Sequence, residues 1–429
     1  MAWDFSTEPE FEAKLDWMRG FVRDEIIPLE TLDLDRDTFA RITAPLKEQV
    51  REHGLWAAHL PPELGGGGFG QVKLGLMHEI LGQCRYAPGI FGNQAPDSGN
   101  AELLAIGGSP EQKERWMEPL LRGELRSCFS MTEPGAGSDP TLLSTRAVLD
   151  GDEYVINGHK WFSSNASHAD FLIVMAVTDP DVSAYQGSSM IVVPVDTPGV
   201  TILRDIPVMD HPLDGGGELY GGHAEILYQD VRVPKENLIG NPGDGFRLAQ
   251  QRLGPGRIHH AMRWLGQSKR AFDMLCERAV SRYAHGSTLS EKGMVQDWIA
   301  TSAAEMQAAR LLTLHAAWTM DRVGASNARV EIAMIKYWGA KVLHDVIDRA
   351  IQVHGSLGFS GDLPLEQMYR AARAARIYDG PDEVHKATVA RRLLRSYPAT
   401  DVPTEHIPTR TAAAREKFAQ YLDRATADL

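Results

Sequence analysis

Cysteine is scarce in this chain: Cys84, Cys128 and Cys276 are the only three in 429 residues. They lie far apart and form no Cys-x-x-Cys pair. That argues against a disulfide framework and a zinc site, and it points to a reducing compartment. Basic residues are in deficit too, 44 against 57 acidic ones, for a net charge of −13. Non-specific nucleic-acid binding needs a basic footprint, so no nucleic-acid partner is expected. An anionic small ligand stays open, because a local arginine cluster overrides the global sign. No apolar run reaches the roughly 18 residues of a membrane span. The opening segment from Met1 to Glu10 is acidic and has no apolar stretch, unlike a secretory or mitochondrial leader. A cytoplasmic location is expected. Internal repeats and low-complexity tracts are also missing.

What is present is ordinary globular composition, 43% hydrophobic and 24% charged, in a chain long enough for two or three domains. Phe11, Leu15, Met18, Val22 and Ile26 recur at helical spacing until Pro28 stops them. Val72, Leu76, Glu79, Ile80 and Gln83 mark another helix, and Glu111 to Leu121 a third. Near residue 128 the pattern changes. Asp150-Gly151 and Asn157-Gly158 read as hairpin turns, and Phe171–Val177, Met190–Val193 and Ala224–Tyr228 as strands. Helical spacing returns in Arg257–Ala284, Met294–Val323, Arg329–His354 and Val384–Leu394, long helices with short links that suggest a bundle. Thr411–Ala425 reads as one more short helix. The expected division is 1–125 helical, 126–240 β, 241–395 helical and 396–429 tail.

Five segments carry candidate chemistry. Thr132-Glu-Pro-Gly-Ala-Gly-Ser-Asp139 is either a plain surface turn or a nest of backbone N–H groups for an anion or ring edge. Gly65, Gly67 and Gly70 match Gly-x-Gly-x-x-Gly, but no strand precedes them, so they read as an interhelical loop. His259 and His260 are adjacent on a helix and point apart; they read as ordinary polar positions, and no metal is expected. Arg370, Arg373 and Arg376 form either a solvated basic face or an anion or subunit contact. After them, Asp379 sits on a Gly-Pro loop as a general base, an N-cap or a turn residue.

In order along the chain stand Met131-Thr-Glu-Pro-Gly-Ala-Gly-Ser-Asp139, Asn157-Gly-His-Lys-Trp-Phe-Ser-Ser-Asn165, Val231-Arg-Val-Pro-Lys-Glu-Asn237, Gly254-Pro-Gly-Arg257, Arg282-Tyr-Ala-His-Gly286, Gln352-Val-His-Gly355 and Tyr378-Asp-Gly380. This series resembles the acyl-CoA dehydrogenase family over about residues 5 to 395. Asn93–Asn100, Arg126–Phe129 and Asp379–His385 further resemble a branch that in animals is fused to a kinase-like domain. The resemblance implies a mainly α fold with a central β domain: an N-terminal helical domain, a β-barrel-like middle domain and a C-terminal four-helix bundle. It implies FAD, an acyl-CoA substrate, an electron-transferring flavoprotein as electron acceptor, and a homotetramer or homodimer. Residues matching flavin contacts are Phe129, Met131, Thr132, Gly137 and Ser138, then Trp161, Phe162 and Ser163. Arg282 with Ala284, and Gln352, Val353, His354, Gly355 and Ser356, match motifs that reach the FAD of a neighbouring subunit; Pro381 and Glu383 complete the cofactor set. Three departures stand out: His285 replaces a usual Phe, Ser356 a usual Gly, and Gly293 a common Gln. Ser138, Gly254, Arg257, Tyr378 and Gly380 match substrate contacts.

The family's base is usually Glu at the position of Asp379, or else a carboxylate on the helix near residue 256, where this chain has Gly256. Asp379 is therefore the implied base for α-proton removal, with the β-hydrogen leaving to flavin N5 and a trans-2-enoyl-CoA as product. It reaches about 1.5 Å less far than Glu. The same fold also serves oxidases that pass electrons to O2, nitroalkane oxidases with an Asp base among them, and a non-catalytic assembly subunit is the third reading.

Overall fold

The computed structural model describes residues 4–211, 222–399 and 410–425. One compact unit runs to Lys386 and a second begins at Ala387. In the first, short helical turns aside, helices α1 (Pro9–Phe21), α2 (Arg36–Glu52), α3 (Gln71–Leu81) and α4 (Asp97–Gly107) come first. The α1 stripe of Phe11, Leu15 and Met18 is buried against α3, because a three- and four-residue spacing puts all three on one face. The helical run ahead of Pro28 does not continue as one α-helix. It widens over Val22–Ile26 and tightens over Ile27–Thr31.

Strands β1 (Ser127–Ser130), β2 (Arg146–Asp150), β3 (Glu153–Ser164), β4 (Phe171–Val177), β5 (Ser188–Pro194), β6 (Val200–Asp205), β7 (His223–Pro234) and β8 (Leu238–Ile239) form one sheet in the order β6-β7-β3-β1-β4-β5-β8. β1 and β2 each pair with both β3 and β4, so these four strands close into a ring. β4 is a continuous apolar run because both its faces are covered. Phe171, Ile173 and Met175 meet the helices, while Leu172, Val174 and Ala176 face the sheet's own core. The Asp150-Gly151 turn joins β2 to β3 as expected. Asn157-Gly158 makes no turn. It lies inside β3 at a register shift, with Gly158 against Thr145, where a Cβ would come within 2.2 Å of the hydroxyl. Only glycine allows that approach, so here the residue marks a bulge.

Helices α5 (Gly245–Ser281), α6 (Gly293–Val323) and α7 (Arg329–His354) pack on one another, with α8 (Leu365–Ala374) against α7. α5 begins twelve residues earlier than its apolar spacing suggested, and runs through Gly254-Pro255-Gly256. Leu248 and Ala249 are buried there against the β-domain core, and that burial outweighs the poor propensity of Gly and Pro. Helix α9 (Asp382–Leu394) follows. In the second unit, Thr411–Lys417 and Ala419–Ala425 are two short helices separated at Phe418, not the single helix expected.

Candidate active site

Asp379 lies on the loop between α8 and α9 with a left-handed backbone, φ 54°. Conformations of that kind cost a non-glycine residue free energy and persist only where the surroundings over-determine them. Here they do. The Asp379 carbonyl accepts from Arg257 Nε at 3.2 Å and lies 3.1 Å from His385 Nε2. The buried Lys336 of α7 donates to the carbonyls of Ala375, at 2.7 Å, and Gly380, at 3.2 Å. Gly380 itself has φ 99°, and a Cβ there would strike His385 Nε2 at 2.7 Å. Among the described residues, the Asp379 N–H donates to no protein acceptor.

The Asp379 carboxylate faces α5, where His260 Nε2 stands 3.4 Å from Oδ2. Burial pushes this carboxyl up, but His260, Arg257 and Arg252 outweigh burial and hold it well below the usual carboxylate range. It is ionised at neutral pH. Beside it, Trp264 Nε1 donates to the Tyr378 hydroxyl at 3.0 Å. Gly256, one residue before Arg257, opens onto free space: a Cβ there would meet nothing within 4 Å.

The Thr132–Asp139 turn is built on Glu133. Its backbone exchanges hydrogen bonds with Ala136, closing a tight loop. Its buried carboxylate accepts from Lys160 Nζ at 2.9 Å, from the N–H and hydroxyl of Ser144, and from the N–H of Thr145. Burial raises the Glu133 carboxyl, yet Lys160 and these donors bring it down to about 2. The loop is thus anchored from below while its upper side stays free. The Thr132 and Ser138 hydroxyls have no protein partner among the described residues, and a Cβ at Gly137 would meet nothing within 4 Å. Trp161 N–H donates to the Thr132 carbonyl at 3.0 Å, which fixes the β3 aromatic beside the turn. Phe162, with φ 49°, is 42% exposed. Ser163 is buried and shares a hydrogen bond with Ser130, and Met131 offers its carbonyl to Lys160.

The remaining expected residues differ in exposure. Phe129, Gly254, Arg257, Tyr378, Gly380 and Pro381 are buried or half-buried, with Gly254 packed on Ala325, while Ser138 is exposed. Arg282, Gln352, Gly355, Ser356 and Glu383 are exposed, and Ala284 is half-buried. Val353 is in the bundle core and the His354 ring bonds back to the Ala350 carbonyl, so neither side chain points outward. Two of the three arginines are paired: Arg370 of α8 with Glu366 and the carbonyls of Met209 and Asp210, and Arg376, just past α8, with Asp382; a buried Arg373 guanidinium nitrogen has no partner among the described residues.

Two residues escaped sequence reasoning. His260 is no ordinary polar position, since it faces Asp379 while its neighbour His259 stacks on His78, ring centres 4.3 Å apart. Adjacency on a helix does send the two rings apart, but it does not reveal that one of them meets a loop 119 residues later. Arg252 stacks on Phe129, 4.0 Å from guanidinium carbon to ring centre, and its charge acts on Asp379. It thereby links the turn side of the site to the base side. The Gly-x-Gly-x-x-Gly segment is an interhelical loop, and the α3 N-terminus after it is occupied by a carboxylate: Asp321 accepts from the N–H groups of Gln71 and Val72.

Three family models match the chain in succession: acyl-CoA dehydrogenase N-terminal domain over residues 8–124, middle domain over 128–214 and C-terminal domain over 243–394. An enzyme of the oxidoreductase class is what this fold and site define. The chain belongs to the acyl-CoA dehydrogenase family, whose proteins are flavoproteins. It is 45% identical over 395 residues to "Probable acyl-CoA dehydrogenase FadE2" of Mycobacterium tuberculosis, covering 91% of this chain and 93% of that one. It is 45% identical over 354 residues to acyl-CoA dehydrogenase family member 11 of Homo sapiens, covering 82% of this chain but only 44% of that longer protein. Among solved structures it is similar to a glutaryl-coenzyme A dehydrogenase in complex with glutaryl-CoA, at TM-score 0.79 and 28% identity over 94% of this chain and all of that one. Butyryl-CoA dehydrogenase of Megasphaera elsdenii matches at TM-score 0.77 and 27% identity over the same full length of that chain and 92% of this one. Among the described residues, no helix is long and apolar enough to cross a membrane.

Proposed function

We propose that the chain is an FAD-dependent acyl-CoA dehydrogenase with Asp379 as its base. The observation that carries this reading is the pairing, on one residue, of an ionised carboxylate with an N–H that none of the described residues accepts from. The carboxylate takes the α-proton. The N–H donates to the thioester carbonyl oxygen, where negative charge develops as that proton leaves. A carboxylate held so low is a weak base, so the work of making the α-proton acidic falls on the groups aimed at the carbonyl. FAD, when bound, supplies the acceptor for the β-hydrogen, which leaves with its two electrons as the α,β double bond forms.

The residues present fit that cofactor. The unpartnered Thr132 and Ser138 hydroxyls and the open face at Gly137 would hold the ring, with Trp161 as its wall. Exposed Arg282, with its forked donors, and the Gln352–Ser356 segment would serve a neighbouring copy's cofactor in a homotetramer or homodimer. We assign the domain boundaries to residues 125, 240 and 395, and the electrons to an electron-transferring flavoprotein. A cytoplasmic location fits the three cysteines, all unbridged. Anaerobic titration of the purified yellow protein with a panel of acyl-CoAs tests the reading. Loss of flavin absorbance with at least one of them is the expected result, and a protein that holds FAD but is bleached by none overturns it. Rapid reoxidation by air alone would instead assign the chain to the oxidases of this fold.

A further inference from the structure

One side chain directly faces the Asp379 carboxylate. His260 Nε2 stands 3.4 Å from Oδ2, and the imidazole is walled in behind. It lies against the Tyr378 ring, with centres 5.1 Å apart, and the Trp264 ring at 6.1 Å. Trp264 and Tyr378 are tied together by their own hydrogen bond, and Lys336 Nζ lies 5.4 and 5.1 Å from their ring centres. The ring is therefore backed by two aromatic side chains fixed to each other. The loop is held in turn, since Arg257, His385 and Lys336 bind its carbonyls.

Those two constraints set the length of the acidic side chain. A glutamate extended along the line from Asp379 to His260 would advance by up to about 1.5 Å, bringing its carboxylate to about 2 Å from the His260 nitrogen, inside contact distance. We propose that His260 is the positioning residue of the base: its ring takes the volume a glutamate would need and its Nε2–H holds the shorter Asp379 carboxylate toward the substrate. This rests on the reading of Asp379 as the base. The pair does together what one longer carboxylate does alone. The 3.4 Å separation is long for a finished hydrogen bond, and contacts of this kind shorten when substrate expels water.

The test uses the FAD-loaded protein, the acyl-CoA that bleaches wild type fastest, and five variants: Asp379→Asn, Asp379→Glu, His260→Ala, His260→Gln and the double Asp379→Glu/His260→Ala. Two readouts are taken, the anaerobic bleaching rate and the incorporation of solvent deuterium at the α-carbon. His260→Ala should lose about 100-fold in both, the scale of a misplaced reacting group. Its substrate KM should stay within about threefold, since the ring orients the base and does not bind thioester. His260→Gln, which keeps a donor, should recover about tenfold over His260→Ala. Asp379→Glu should be slow, and the double variant faster than either single one, because removing the ring makes room for the longer acid. A double variant no faster than Asp379→Glu overturns the proposal, as does His260→Ala at the wild-type rate. Should His260→Ala not hold FAD, the His260→Gln rate decides: an unchanged rate overturns the proposal and a lowered one supports it. Turnover by Asp379→Asn would instead defeat the assignment of the base itself, which separates the two failures.

Discussion

Asp379 pairs an expensive backbone conformation with an ionised side chain, and the two have separate causes. The left-handed φ is imposed by donors from three other elements onto the loop carbonyls. The ionisation comes from His260, Arg257 and Arg252 acting against burial. Replacing Asp379 by Asn keeps the first and removes the second. That variant should retain FAD and lose about 100- to 10,000-fold in bleaching rate, the usual worth of a general base. Near-normal bleaching would refute the role. The pH dependence has a definite sign. The carboxylate stays charged below the usual carboxylate range, so the acid limb of the wild-type profile should fall below pH 4, not near neutrality. Asp379 was legible only through the family resemblance, because its Gly-Pro loop by itself left base, N-cap and turn residue all open. His260 was not legible, because its meaning depends on a partner 119 residues away.

At the scale of elements, the Thr132–Asp139 turn shows why local sequence is ambiguous. Its glycines and proline declare a turn, but the residue that makes it rigid is Glu133, whose ion pair with Lys160 belongs to a strand 27 positions on. Removing one partner of a buried pair leaves the other charged and unpaired, at a cost of about 3 to 5 kcal/mol. Glu133→Gln should therefore lower unfolding stability by that order in chemical denaturation; a change below about 1 kcal/mol would mean the pair is dispensable. Glu133 is lowered from 4.5 to about 2, so its contribution is complete above pH 4.5 and lost as pH falls toward 2. The variant should lack that part of the wild-type acid sensitivity. Strand β4 was legible because seven apolar residues in a row have little else to be. Asn157-Gly158 misled for the opposite reason: the same dipeptide that closes a hairpin also relieves a close approach inside a strand, and only the position of Thr145 distinguishes them.

For the molecule as a whole, the order helices, sheet, helices was plain from the change of apolar period near residue 128 and again near 245. What spacing could not give was the entry of α5, whose first turns are held by the β domain and not by their own propensity. The proposed cofactor face is polar and open on the turn side, where the Thr132 and Ser138 hydroxyls have no protein partner among the described residues. FAD binding should therefore stabilise the fold, by about 2.7 kcal/mol at one hundred times its dissociation constant. A thermal midpoint that rises with added FAD is the expected result, and an unmoved midpoint at saturating FAD would count against the site. The bare backbone of Gly256, with nothing within 4 Å of where its Cβ would be, has a further consequence. It leaves the helix room for an acid, so the base role proposed for the loop can be moved to the helix by substitution with no refolding. A chain with Gly256→Glu and Asp379→Gly that binds FAD and still bleaches would demonstrate that transfer; one that binds FAD and never bleaches would refute it.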